Sequence, residues 1–218
     1  MTIAVERYPE IKKELEAAGV LLVAVSKKKP IEDILALYKL GQRDFGENYV
    51  QELLEKQPLL PADIRWHFIG HLQRNKVKYI ANRCSLIQGV DSLALLNEIN
   101  KQAIRQHRII DCLLQVHIAQ GETKFGFDEA GLAAVLSQIA DRKNVRVLGL
   151  MGMASFTNQE TVIRAEFRYL KSMANKFAHY FPVDKTPVVS MGMSGDYWIA
   201  LEEGSTLVRI GSLLFGAR

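Results

Sequence analysis

The chain has 218 residues, 48% hydrophobic and 24% charged, with a formal net charge of +4. This is an ordinary globular mix with room for one well-filled core, so a single domain over residues 1–218 is expected. The positive excess is mild and spread along the chain; it could favour an anionic ligand but is too weak to argue for nucleic acid, and no stretch approaches the roughly 20 apolar residues of a membrane span.

The opening MTIAVERYPEIKKELEAAG lacks the apolar core of a secretory signal, so a soluble, cytoplasmic protein is expected. The two cysteines, Cys84 and Cys112, belong to no CxxC or metal-ligand spacing. Both lie in or beside apolar runs and are expected as buried, reduced thiols. Nothing demands a dimer, and a monomer is expected.

Helical periodicity opens the chain over about residues 4–18. The first strand is predicted at residues 20–26, VLLVAVS. A helix follows Pro30, with Glu32 and Asp33 in its first turn, and ends near Gly41. Further strands are predicted at QRDFGEN, RWHFIG, SLIQGV, CLLQVHIA, VRVLGLMGM, TPVVSMG and TLVRIGSLLFG. The clearest helices between them are SLALLNEINKQAIRQ, EAGLAAVLSQIADR and QETVIRAEFRYLKSMANKF. Eight strands alternating with helices imply parallel pairing. An open doubly wound sheet and a closed (β/α)8 TIM-type barrel both fit, and eight similar units favour the barrel. The first strand is followed by no G-x-G-x-x-G, which weakens dinucleotide binding. The N-terminal helix is expected to complete the outer ring, where a full helix after the eighth strand is missing.

Chemistry on such barrels sits at the carboxyl ends of strands. The first strand ends in AVSKKKP. Alternation puts Val23, Val25 and Lys27 on one face and Lys28 on the other, with Lys29 returning if the strand runs on. An amine at that position can form an imine with a carbonyl compound; a solvated basic turn is the plain reading. The last two strands end in VVSMGMSGDYW and VRIGSLLFG, where glycine and serine resemble a phosphate cradle. Ser194 is expected to cap a helix starting near Asp196. Arg209 and Gly211 share a face, and an arginine pointing into a barrel needs a partner. Turn chemistry and a structural ion pair are the plainer alternatives.

The second strand end brings Glu47 and Asn48 to the mouth, although Glu47 also suits a first helical turn. His71, in WHFIGHLQRNK, is as well explained by loop hydrogen bonds as by function, with Asn75 one turn further on. No metal-ligand spacing accompanies these histidines, so no metal site is expected. Lys124, in HIAQGETKFGF, reads as a solvated lysine. His107 and His179 lie on amphipathic helical stretches and are expected at the surface.

In order along the chain, AVSKKKP, FGENYVQE, WHFIGHLQRNK, TKFGF, SMGMSGD and VRIGSLLFG resemble the pyridoxal phosphate homeostasis protein family, the YggS/PROSC type. The resemblance spans about residues 4–217, and the length is similar to that of cyanobacterial members. It implies a barrel like the N-terminal domain of alanine racemase. It implies pyridoxal 5′-phosphate (PLP) bound covalently, as a Schiff base on Lys27. Ser190 and Ser194 would help hold the phosphate, as would the backbone around Gly211 and Ser212; Met193 would also belong to the cofactor site, Arg209 would face the pyridine nitrogen, and Asn48 would lie beside the ring. A cation at that nitrogen keeps it unprotonated and weakens the ring as an electron sink. Family members often carry threonine where this chain has Lys28, a side chain expected to point away from the cofactor.

The resemblance implies a non-catalytic role in vitamin B6 homeostasis and amino/keto acid balance, with PLP-requiring apo-enzymes as recipients and no nucleic-acid or membrane partner. The alternatives are a PLP-dependent amino-acid racemase and a Schiff-base aldolase. A racemase needs a further acid or base on the opposite face of the imine, and no matching segment follows the eighth strand. An aldolase gives no reason to set Arg209 against a ring.

Overall fold

The computed structural model describes residues 4–120, 125–182 and 186–216. Eight parallel strands close into a barrel in sequence order. They are β1 Leu21–Val25, β2 Asp44–Glu47, β3 Arg65–Phe68, β4 Leu86–Val90, β5 Ile110–Gln115, β6 Val145–Met151, β7 Val188–Ser190 and β8 Leu207–Ile210. Helix α1 Ala4–Ala17 precedes β1. The connections carry α2 Ile31–Lys39, α3 Val50–Lys56, α4 Val77–Ile80, α5 Leu93–Arg105, α6 Glu129–Leu136, α7 Glu160–Lys176 and α8 Tyr197–Glu202. The short α9 Ser212–Phe215 follows β8.

The expected ring completion is present. Tyr8, Ile11 and Leu15, at helical spacing, are buried. They belong to α1, which packs against α9, β1 and α2. Local signals fix other helix starts. Ser92 Oγ accepts from the Leu95 amide at 3.3 Å, and Asp128 Oδ1 from the Gly131 amide at 2.7 Å.

Apolar side chains fill two compartments. The larger lies between strands and helices and includes Phe45, Trp66, Ile87 and Phe167. The smaller is formed by Val23, Leu86, Leu113, Met151 and Leu207. Cys84 and Cys112 are free and buried, as expected. Burial pushes both thiols up, Cys84 to about 12. An extra residue in β6 shifts its register against β5. Gly149 sits there at φ +156°, where a Cβ would strike the Val188 carbonyl.

Several boundaries differ from expectation: the helix predicted over 129–142 ends as α6 at Leu136, the strand predicted over 186–192 is Val188–Ser190, and two further strands change character. The fifth strand, predicted over 112–119, is Ile110–Gln115. Beyond it the Val116 amide still donates to Met151 O of β6 at 2.8 Å, and the chain then turns to Phe127: the His117 amide donates to Phe127 O at 2.9 Å, and the Phe127 amide to Gln115 O at 2.8 Å. The eighth strand ends at Ile210, because the apolar run SLLF is α9 with Leu214 and Phe215 buried. A short apolar run does not by itself separate strand from helix. Among the described residues, no helix is long and apolar enough to cross a membrane.

Candidate functional site

β1 stops at Val25, and the chain turns through Lys28 at φ +59°. The Lys29 amide closes the turn on the Ser26 carbonyl at 3.0 Å, and the Lys28 amide donates to the Glu52 carboxylate. Lys28 is exposed, whereas Lys27 and Lys29 are half-buried. Lys29 Nζ donates to Phe215 O at 2.8 Å and Gly216 O at 3.2 Å, tying the turn to the end of α9.

Lys27 lines a cavity of about 440 Å³ at the carboxyl end of the barrel. Asn48, Met193, Ser194, Arg209, Gly211 and Ser212 line it too, so seven of the eight residues expected at the site meet in one space. Val25 also contributes, as the β1 alternation predicts, and Lys29 reaches the cavity from the turn rather than from a continued strand. The volume suits a small cofactor. Asn48 Oδ1 is buried without a hydrogen-bond partner. No atom lies within 4 Å of where a Gly195 Cβ would stand, so that part of the wall is open backbone.

Ser190, the eighth expected residue, is fully buried. Its hydroxyl accepts from Arg209 Nη1 and donates to Gln88 Oε1 at 2.7 Å, beneath the cavity. Ser194 does not cap α8. Asp196 occupies the cap position, and its carboxylate turns back to the Met193 amide at 2.6 Å. Ser194 Oγ instead accepts from the amides of Gly211, at 3.1 Å, and Leu213, at 3.5 Å. It therefore joins the loop after β7 to the start of α9.

Arg209 is buried on β8, and its Nη2 donates to Gly152 O at 3.0 Å. Its direct partners are a hydroxyl and a carbonyl, not the carboxylate of an ordinary ion pair. Burial pushes its pKa down to about 10, against the attraction of Asp196, so it remains cationic at neutral pH.

Other expected residues lie elsewhere. Glu47 ends β2 rather than opening a helix, and its carboxylate is buried against Lys56 Nζ at 2.8 Å and Ser26 Oγ at 2.7 Å. Burial raises its pKa, opposed by Lys56. Lys56 also pairs with Glu52 at 2.6 Å. His71 bonds Asp91 at 2.9 Å and stacks on Phe125 at 4.0 Å, the loop-holding role. It lines a different and larger space of about 860 Å³, together with Asn75, away from Lys27. Lys124 lies outside the described residues. His107 and His179 are exposed, as expected.

Sequence reasoning passed over a line of polar side chains beneath the cavity. His67 and Gln88 are buried in β3 and β4, with Gln88 Nε2 and His67 Nδ1 at 3.0 Å. His67 Nε2 meets Asp44 Oδ1 at 3.0 Å, and Arg65 Nε reaches the same oxygen at 2.8 Å. The available signal was a glutamine inside the apolar run LIQGV and a histidine between two aromatics in RWHF.

Residues 5–218 match the family described as alanine racemase, N-terminal domain. The pyridoxal phosphate homeostasis protein of Aquifex aeolicus is 39% identical over 214 residues, covering 95% of this chain and 93% of that protein. The human protein of the same name is 37% identical, covering 99% of this chain and 82% of its own length. This chain belongs to the pyridoxal phosphate homeostasis protein family. A solved family member, PipY of Synechococcus elongatus with PLP bound, superposes with a TM-score of 0.89 at 35% identity, covering 98% of this chain and 100% of PipY. Alanine racemase from Bartonella henselae shares the barrel alone, at a TM-score of 0.77, 17% identity and 58% of its length.

Proposed function

We propose that this protein holds PLP as a Schiff base on Lys27 and acts as a carrier in vitamin B6 homeostasis and amino/keto acid balance, without turnover of its own. The observation that carries the reading is the convergence of Lys27, Arg209, Ser194 and Gly211 on one cavity. The donors fit the group. A primary amine condenses with the PLP aldehyde to give an imine and one water. The hydroxyls of Ser194 and Ser212 and the open backbone at Gly195 suit a phosphate, with Gly211 placing Ser194 through its amide. The buried Asn48 Oδ1 would gain a partner from a donor on an occupant.

When bound, PLP supplies an electrophilic carbonyl and an electron-withdrawing ring. Arg209 contributes a fixed positive charge at the cavity floor and disfavours a second positive charge on a neighbouring ring nitrogen. This restrains the electron-withdrawing power that racemisation needs, in keeping with relatives named for homeostasis rather than for a reaction. A monomer that yields PLP to apo-enzymes completes the reading.

The test is an absorbance spectrum of the PLP-loaded protein before and after borohydride, followed by peptide mapping. The expected result is an imine band lost on reduction, with the pyridoxyl adduct on Lys27 and no band in Lys27→Ala. An adduct on Lys28, Lys29 or Lys124 would overturn the assignment.

A further inference from the structure

Inward-facing barrel residues are usually branched and apolar. Here β2, β3, β4, β7 and β8 instead contribute Asp44, His67, Gln88, Ser190 and Arg209, all buried. They form one continuous chain of hydrogen bonds from the start of β2 to the cavity floor.

Chemistry fixes the two ends of this chain. The Arg209 guanidinium can only donate, and the Asp44 carboxylate, held below its usual range, accepts. With the Gln88 amide set as it stands, Oε1 toward Ser190 and Nε2 toward His67, one arrangement satisfies every link between them. Ser190 accepts from Arg209 and donates to Gln88 Oε1. Gln88 Nε2 then donates to His67 Nδ1. His67, with its proton on Nε2, donates to Asp44 Oδ1. Every donor points the same way, and bonds in such a chain polarise one another. The negative end is held on the opposite side by Arg65.

We propose that Asp44, His67, Gln88 and Ser190 are a positioning relay that orients the Arg209 guanidinium and balances its buried charge at the floor of the Lys27 cavity. The relay replaces a direct ion pair. A carboxylate placed against Arg209 would neutralise the charge the cavity presents, whereas one at the far end of a dipole chain leaves that charge facing upward. The effect on a bound ring rests on the PLP reading; the relay itself does not.

Two measurements test it. The first uses ligand-free protein and nitrogen-15 NMR of the His67 ring. The proton is expected on Nε2, and a proton on Nδ1 in its place would overturn the relay. The second uses Gln88→Leu, His67→Leu and His67→Gln in titrations with PLP. Both leucine variants should weaken PLP by about tenfold, the loss for one hydrogen bond to a charged group, and displace the absorbance maximum of the bound band. His67→Gln, which keeps an acceptor and a donor, should restore much of both. Unchanged affinity and maximum in a folded Gln88→Leu would refute the proposal. If wild-type protein forms no imine band, the PLP reading falls, and the ring tautomer still decides the relay.

Discussion

Lys56 Nζ donates to the carbonyl oxygen of Ser26 at 2.7 Å, on the peptide immediately before Lys27. The same ammonium pairs with Glu47 and Glu52, and Glu52 accepts the Lys28 amide on the other side of Lys27. Both peptides flanking Lys27 are thus tied to one buried cation. Lys56→Met should cost about 3–5 kcal/mol in urea unfolding, because it leaves the Glu47 carboxylate buried and unpaired. Adding Glu47→Gln should recover most of that loss. A single-variant loss below about 1 kcal/mol would show that the network holds little.

The phosphate end has its own signature. Charge-assisted hydrogen bonds to phosphate contribute roughly 1.5–3 kcal/mol each, so pyridoxal should bind at least about tenfold more weakly than PLP. Ser194→Asp should weaken PLP most, through like-charge repulsion. Competition titrations with the two vitamers measure both effects. Equal affinity for them would move the phosphate away from Ser194.

Turnover is tested most sharply at the amino acid Cα. With PLP-loaded protein in heavy water, a panel of L- and D-amino acids should show no rapid deuterium incorporation by mass spectrometry. Fast exchange at catalytic protein levels, lost in Lys27→Ala, would make the protein an enzyme.

Two buried carboxyls give opposite pH trends. Burial works to raise the Asp44 carboxyl, but hydrogen bonds from His67 and Arg65 outweigh it and hold the group low. With an unfolded value of about 3.9, the unfolded chain binds more protons, so the Asp44 contribution is present above that pH and lost as pH falls through the folded value. Asp44→Asn should flatten the acid limb of the stability curve below about pH 4. Glu47 is raised by burial, against Lys56. Its contribution is present below the unfolded value of about 4.3 and lost as pH rises through the folded one. Glu47→Gln should remove that decline. Denaturant unfolding across acidic to neutral pH reads both, and matching slopes in variant and wild type would contradict the assignments.

The barrel was legible because strand and helix periods alternate without interruption, and Lys27 because it ends an apolar strand on the same face as Val25. The Gly and Ser positions after the last two strands were legible as flexible, hydrogen-bonding loop ends. Ser194 was misjudged because its acceptor role crosses to Gly211 and Leu213, far along the chain. Ser190 reads only as a serine at the phosphate end, and its hydrogen bonds to Arg209 and Gln88 were not legible. Lys56 reads in sequence as an ordinary lysine at a helix end. What makes these residues informative is their partners on other strands, and no local pattern carries that.

Closure of the barrel by β1 against β8 sets Val23 beside Arg209 in register. The amine and the guanidinium of the cavity thus come from the end of β1 and from β8, far apart in sequence and adjacent in the barrel. During synthesis Lys27 emerges long before Arg209 in β8, so a chain grown only as far as β7 owns no complete pocket. A ligand that needs both groups selects only finished, closed molecules and stabilises the whole barrel by mass action rather than any one segment. Retention of such a ligand would thereby double as a check on the completeness of folding.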